Sequence, residues 1–253
     1  MTARLPSTAH ERSRVDNAIG LVLHSYPFRE TSLIVETFTR EHGRVALVAR
    51  GARRPRSQLR GLIQSFTPLL LSFAGKGELR TLHKAEWQGG LPLPQGMGLL
   101  CGFYINELML KLLARDDPHP QLFEHYHATL QALATPGLSQ TGYAIILRQF
   151  EQRLLAELGY AQPFTHEADS GQPVVAEQFY SYVCERGACL TSAEHAHNGL
   201  ILRGKTLLDL ASGDYADPAS LMQGKQLMRH IINHHLAGQT LHARELLKDL
   251  QQL

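Results

Sequence analysis

The sequence predicts an α+β protein in three parts: a five-stranded barrel, a bundle of helices and a small C-terminal region. Three observations carry this. Between Ala18 and Lys84 the apolar residues alternate or gather in short runs, which is the signature of strands. Beyond Leu91-Pro92-Leu93-Pro94 they recur at three and four instead, as on helices with a buried face. Between these, the stretch from Arg50 to Arg60 holds five arginines and no acid. Its Gly51, Pro55 and Ser57 break both periods, so it reads as a loop.

Taken in order, Gly20 to Ser25 is the first strand and Ser32 to Thr39 the second. A turn at Glu41-His42-Gly43 leads to the third, Arg44 to Ala49. After the basic loop come Phe66 to Phe73 and Glu78 to His83, joined by a tight Gly75-Lys76-Gly77 hairpin. Five short strands without a long intervening helix suit a closed or nearly closed barrel. The OB-fold is the five-stranded candidate, and its strand face and loops commonly bind single strands. Phe66 and Phe73, as apolar strand residues, are assigned to the core.

The first helix spans Met97 to Leu113, with Leu99, Phe103, Leu108 and Leu112 on its apolar side. His119-Pro120 opens a second through Phe123, Tyr126, Leu130 and Leu133, ended by Pro136-Gly137. A third runs from about Gly142 to Leu158 and stops at Gly159. From Ala161 to Ala196 the pattern is weak, with turns at Gly171-Gln172-Pro173 and Glu185-Arg186-Gly187. Helical segments follow at Pro218 to Leu236 and Ala243 to Leu250. The expected divisions are residues 1–16 as a disordered leader, 17–88 as the barrel, 89–160 as the bundle and 161–253 as the C-terminal region.

Charge singles out the basic loop. From His42 to Gly77 there are seven basic residues and no Asp or Glu, so with a chain total of +2 the remainder sums to −5. Arginine forks suit phosphate oxygens, and a loop kept basic for solubility alone has no need to exclude acids so completely. No apolar run approaches the roughly 18 residues of a membrane helix. The leader lacks the apolar core of a secretory signal. Three cysteines, Cys101, Cys184 and Cys189, argue for a reducing compartment, so the expected location is the cytoplasm.

Three motifs compete with a nucleic-acid reading. Gly199 to Thr206 satisfies the phosphate-loop pattern G-x-x-x-x-G-K-[ST], but Leu200-Ile201-Leu202 is a core run where small polar residues are required. Cys184 and Cys189 with His195 and His197 invite a zinc site, yet the cysteine spacing is too long and no C-x-x-C exists. His230 and His234 stand one helical turn apart, near His235 and His242, without the Glu of a hydrolytic H-E-x-x-H. With no nucleophile elbow and no clear carboxylate pair, the chain is not expected to be an enzyme, and no cofactor or metal is expected.

The ordered landmarks are similar to those of the bacterial RecO recombination mediators. They are Phe28-Arg29-Glu30-Thr31-Ser32-Leu33, Gly43-Arg44-Val45, Val48-Ala49-Arg50-Gly51-Ala52-Arg53-Arg54, Gln64-Ser65-Phe66-Thr67-Pro68 and Gly75-Lys76-Gly77-Glu78-Leu79. Tyr104-Ile105-Asn106-Glu107-Leu108, Leu147-Arg148-Gln149-Phe150-Glu151 and Leu158-Gly159-Tyr160 continue the series. The resemblance covers nearly everything after Asn17. It implies an N-terminal OB-fold, a central helical domain and a small C-terminal region that holds zinc in some members. Those members carry two C-x-x-C pairs; here Glu167 and Ser170 stand where the first would be, so the region is expected to be a degenerate, zinc-less version.

The function implied is DNA repair on the nucleoid. Such proteins bind single- and double-stranded DNA, anneal complementary strands, and with RecR load RecA onto strands coated by single-strand binding protein. On this reading Arg44, Arg50, Arg53, Arg54, Arg56 and Arg60, with Lys76, Arg80 and Lys84, form a DNA track that contacts mainly phosphates. Arg148 is a second candidate, as an exposed arginine beside an apolar groove holding the acidic, apolar-tipped tail of single-strand binding protein. An ordinary helix-surface arginine is the equal alternative. The rival function is an RNA-binding or ribosome-associated OB module without annealing activity.

Overall fold

The computed structural model describes residues 14–160, 163–191 and 200–245. Five strands come first: β1 (Arg14–Phe28), β2 (Ser32–Thr39), β3 (Gly43–Ala49), then a one-turn helix α1 (Leu59–Leu62), β4 (Pro68–Ala74) and β5 (Leu79–Trp87). They close into a barrel in the order β1-β2-β3-β5-β4, antiparallel except for β3 against β5. That is the OB arrangement expected. β1 runs six residues earlier than the alternation alone indicates, because its N-terminal part pairs with β4, Arg14 opposite Ala74.

The alternation sorts the side chains. Val45, Leu47 and Ala49 of β3 point inward with Leu69, Leu71 and Phe73 of β4, and Leu59, Leu62 and Ile63 close over them. Each fully buried Val, Leu or Phe among them contributes about 1.5–3 kcal/mol. Phe73 is fully buried and Phe66 nearly so, as core residues.

Three longer helices follow: α2 (Met97–Leu112), α3 (Pro120–Leu133) and α4 (Gln140–Glu157). The compact units do not follow chain order. One comprises the chain up to Leu93 together with Leu113–Leu130; the other comprises Pro94–Leu112 and the chain from Gln131 onward. In the first unit, Phe38 projects from the outer side of β2 and is buried against Phe123 and Tyr126 of α3, ring centroids 5.7 and 6.3 Å away. Gly43 permits the approach: a Cβ there would lie 2.0 Å from the Asp117 carbonyl oxygen.

The second unit joins α2 and α4 to a small sheet and two further helices. Strands β6 (Phe179–Val183), β7 (Gly187–Thr191) and β8 (Leu200–Arg203) form a sheet in the order β7-β6-β8. Sequence periodicity does not reveal this sheet, since strands of four or five residues are too short to show one. The Glu185-Arg186-Gly187 turn is its hairpin, with Val183 opposite Gly187. Helices α5 (Gly204–Ser212) and α6 (Pro218–His235) complete the unit, α6 capped by the Asp217 carboxylate on the Ala219 N–H. One helical turn at 242–245 begins the segment expected at Ala243 to Leu250; its remainder lies outside the described residues.

Candidate nucleic-acid interface

The basic loop leaves the barrel where β3 ends. Strand register places it beside the β1–β2 turn, since Phe28 pairs with Ser32 and Leu33 with Ala49. Two bonds tie the loops together: the Arg53 N–H donates to the Thr31 carbonyl at 2.9 Å, and Arg53 Nη1 donates to the Arg29 carbonyl at 3.3 Å. Ala52 is buried and anchors the loop, whereas Arg50, Arg53, Arg54, Arg56 and Arg60 are all exposed. None of the five makes an ion pair among the described residues. With exposed Arg29 in the adjoining turn, this end of the barrel presents six guanidinium groups against the single exposed carboxylate of Glu30, and none of the six forms an ion pair among the described residues.

The remaining members of the expected track behave otherwise. Arg44 points outward from β3 but is half-buried; its Nη1 reaches Glu36 at 3.2 Å and its Nε the Leu113 carbonyl at 3.1 Å. Glu36 is 4 % exposed and also holds Arg115, so Arg44 neutralises a buried carboxylate and is withdrawn from the track. Arg80 lies against the Phe73 ring and pairs with Asp116 at 2.7 Å. Lys84 is exposed and pairs with Glu86. Lys76 is exposed, but its hairpin lies at the other end of the barrel, where Ala74 pairs with Thr81. A seven-residue strand such as β3 separates the two ends by roughly 20 Å.

The covering segment decides which surface is open. The strand 2–3 face that OB-folds offer to oligonucleotides is closed along its lower half by residues 113–130. The Asp116 N–H donates to the Arg44 carbonyl, Arg115 grips Glu36, and α3 buries Phe38. Above that line the outer face is open. Tyr26, Ile34, Val48 and Thr81 lie side by side on β1, β2, β3 and β5, Tyr26 being 44 % exposed. Tyr26 escaped the sequence reading because it lies beyond the expected end of the first strand. Trp87, at the end of β5, is 66 % exposed and escaped for the same reason.

In the second unit, Arg148 is not the exposed arginine expected. It is 7 % exposed, and its guanidinium pairs with Glu151 one turn on, at 2.5 Å. The Tyr104 hydroxyl donates to the same Glu151 oxygen at 2.7 Å. Burial pushes the Glu151 carboxyl above the usual carboxylate range, against the pull of Arg148, Tyr104 and Arg244. Arg148 nevertheless lines a cavity of about 170 Å³. Met97, Cys101, Tyr143 and Leu147 give the cavity apolar walls, and Lys225, Arg229 and Arg244 add positive charge. Burial also raises the Cys101 thiol to about 11, so it stays protonated. Arg244 lies over the Tyr104 ring at 5.9 Å.

Its position depends on Glu107, whose carboxylate accepts the N–H groups of His242 and Ala243 at 3.0 and 2.9 Å. Burial resists the Glu107 charge, but those N–H groups and Lys111 outweigh it and hold the carboxyl below its ordinary value.

The competing motifs are absorbed by structure. In the phosphate-loop pattern, Leu200 to Arg203 is strand β8 itself, and Gly204 opens α5 where a Cβ would lie 1.9 Å from the Val175 carbonyl oxygen. Lys205 pairs with Asp209 at 2.6 Å, and buried Thr206 donates to Gln223 at 2.7 Å. His234 meets Glu185 at 3.0 Å and His235 stacks on Tyr160 at 3.8 Å. Glu167 and Ser170 hydrogen-bond each other. Among the described residues, no three His, Cys, Asp or Glu side chains gather as a metal site; His195 and His197 lie outside those residues. No described helix is long and apolar enough to cross a membrane.

Two family models match the chain: Recombination protein O N terminal over residues 15–90, and Recombination protein O C terminal over residues 95–245. Relatives named DNA repair protein RecO align over nearly their whole length. The Nitrosospira multiformis protein is 53% identical over 244 residues, covering 96% of this chain and 99% of its own. The Thiobacillus denitrificans protein is 50% identical over 246 residues, 95% and 94% of the two chains. The Aromatoleum aromaticum protein is 50% identical over 244 residues, 96% and 99%.

Proposed function

Since the chain belongs to the RecO family of DNA repair proteins, we propose that it is a recombination mediator that anneals complementary DNA strands. With RecR, it helps load RecA onto single strands coated by single-strand binding protein, in the cytoplasm and on the nucleoid. The observation that carries this reading is the set of exposed, unneutralised arginines at one end of the barrel. Phosphates of two strands gathered there repel each other less, and base pairing supplies the driving force. No bond is made or broken in the protein's hands, so the activity needs neither an enzyme's active site nor a cofactor.

The cavity under Arg148 supports the partner half of the proposal. A peptide with an apolar tip and acidic residues finds there an apolar floor and a rim of Lys225, Arg229 and Arg244. In this role Arg148 shapes the floor through Glu151 and Tyr104, while the rim residues meet the acids. The C-terminal tail of single-strand binding protein is the occupant proposed.

The test is annealing of two complementary oligonucleotides, one pre-coated with single-strand binding protein. The wild type is compared with a variant carrying Arg50, Arg53, Arg54 and Arg56 changed to Glu, its fold checked by circular dichroism. The expected result is acceleration by the wild type and none by the variant. Equal acceleration by both moves the DNA site away from the loop. Acceleration by neither overturns the annealing reading and directs attention to RNA.

A further inference from the structure

We propose that Glu107 is a positioning residue for the basic rim of the cavity under Arg148: it fixes Arg244 at the mouth before a peptide arrives, and so sets how tightly acidic residues are held there. This rests on the reading that the cavity takes an acidic, apolar-tipped peptide, and it identifies what holds the rim in place.

One stripe of α2 builds both the cavity wall and the clamp. Cys101 and Tyr104 line the cavity, and Glu107 and Lys111 follow on the same side of the helix. Glu107 accepts the N–H groups of His242 and Ala243, the two residues just before Arg244. Lys111 donates to the Thr240 carbonyl and pairs with Glu107 at 3.0 Å. The backbone leading into Arg244 is thus fastened to α2 through both N–H and carbonyl groups, with Leu241 buried between them. Lys111 also offsets the Glu107 charge, so the clamp adds little repulsion toward an acidic ligand.

The Arg244 guanidinium is held from two further sides. Its Nη1 donates to Asn233 Oδ1 at 2.7 Å, and it lies over the Tyr104 ring. Asn233 stands one helical turn after Arg229 on α6, and Arg229 and Arg244 together line both the cavity and a groove beside it. The bond to Asn233 is to a neutral amide, so it fixes the side chain without cancelling its charge. A guanidinium has five N–H donors, and one such bond leaves the others for a carboxylate. A free arginine at this edge would have to be ordered by the peptide itself. One ordered in advance binds without that loss. Glu107 therefore acts on the ligand only through Arg244, and only on ligands that carry acids.

The experiment measures affinity of the full chain for the fluorescein-labelled C-terminal tail peptide of single-strand binding protein, and for the same peptide with its acids changed to Asn. Arg244→Ala is expected to weaken binding of the acidic peptide about tenfold, as for loss of one charge-assisted hydrogen bond. Glu107→Gln turns a donor toward one of the two N–H groups and weakens it about fivefold, the cost of ordering one long side chain. In the Arg244→Ala background, Glu107→Gln changes affinity by less than about twofold, and neither substitution moves the Asn peptide by more than that. Asn233→Ala, on a different helix, gives a loss of about threefold, again only while Arg244 is present. A clamp that merely kept the cavity folded would weaken both peptides in either background, and that result overturns the proposal. So does wild-type affinity for the acidic peptide in Glu107→Gln. Loss on Arg229→Ala with none on Arg244→Ala leaves the partner reading standing and removes this one. Failure of the wild type to bind the tail removes both.

Discussion

The loop arginines and the arginines of the covered face share chemistry and lie on one barrel, yet they meet opposite fates. Arg50, Arg53, Arg54 and Arg56 stand in solvent and form no ion pair among the described residues. Arg44, a few residues before them, and Arg115 converge on one buried Glu36, at 3.2 and 2.5 Å. What separates them is the position of acids brought in by other parts of the chain. An unpaired exposed arginine costs little and stays available to phosphate. An arginine beside a buried carboxylate is committed, because leaving either partner alone there is expensive. Arg148 belongs with the committed set, through Glu151.

Substitutions should expose this difference as a graded series. Arg148→Ala leaves the Glu151 carboxyl, 1 % exposed, with the Tyr104 hydroxyl and the charge of Arg244 but without its paired guanidinium. Chemical denaturation should register a loss of about 3–5 kcal/mol, with a weaker grip on a tail peptide. Glu36→Ala frees Arg44 and Arg115 from their shared partner. Because Arg115 is partly open to water, a loss of about 3 kcal/mol is expected, and affinity for DNA should hold wherever the variant is folded. A stable Glu36→Ala protein would remove the distinction between the two sets.

Glu107→Gln tests a carboxylate that fixes backbone instead of a side chain. It should cost about 1 kcal/mol at neutral pH, as caps do. The sign of its pH dependence follows from the lowered folded-state pKa of Glu107. The native state holds fewer protons than the unfolded chain there, so the stabilisation is complete above the ordinary carboxylate range. It fades as the pH falls through that range and below. Wild type and Glu107→Gln should therefore converge in acid unfolding.

Arg50→Ala is the smallest in stability, within about 0.5 kcal/mol. It should show instead in binding, where the salt slope falls by about 0.7–0.9 for each phosphate that is no longer neutralised. An unchanged slope would mean that Arg50 does not touch the backbone of the DNA.

Much of this was legible in the chain. The second strand's limits follow from alternation alone, Ser32–Thr39, and the helix starting at Met97 from its apolar spacing. The acid-free loop announced an electropositive surface. Tyr26 and Trp87 were missed since both lie past the ends of the periodic runs. The small sheet was missed for want of length; of the expected core run Leu200-Ile201-Leu202, only Leu202 is fully buried, the other two being half-buried.

By itself, then, the sequence determined the closed barrel, the helices after it, and a loop rich in arginine with no acid of its own. These are local properties, written in periods of two and 3.6 residues and in the order of charges. Only the tertiary structure decided which arginines remain available. Glu36 lies 8 residues from Arg44 and 79 from Arg115, and those separations carry no signal along the chain. The pairing exists because residues 113–130 return to cover the barrel. A buried carboxylate must find its cations in space, wherever they lie in the sequence.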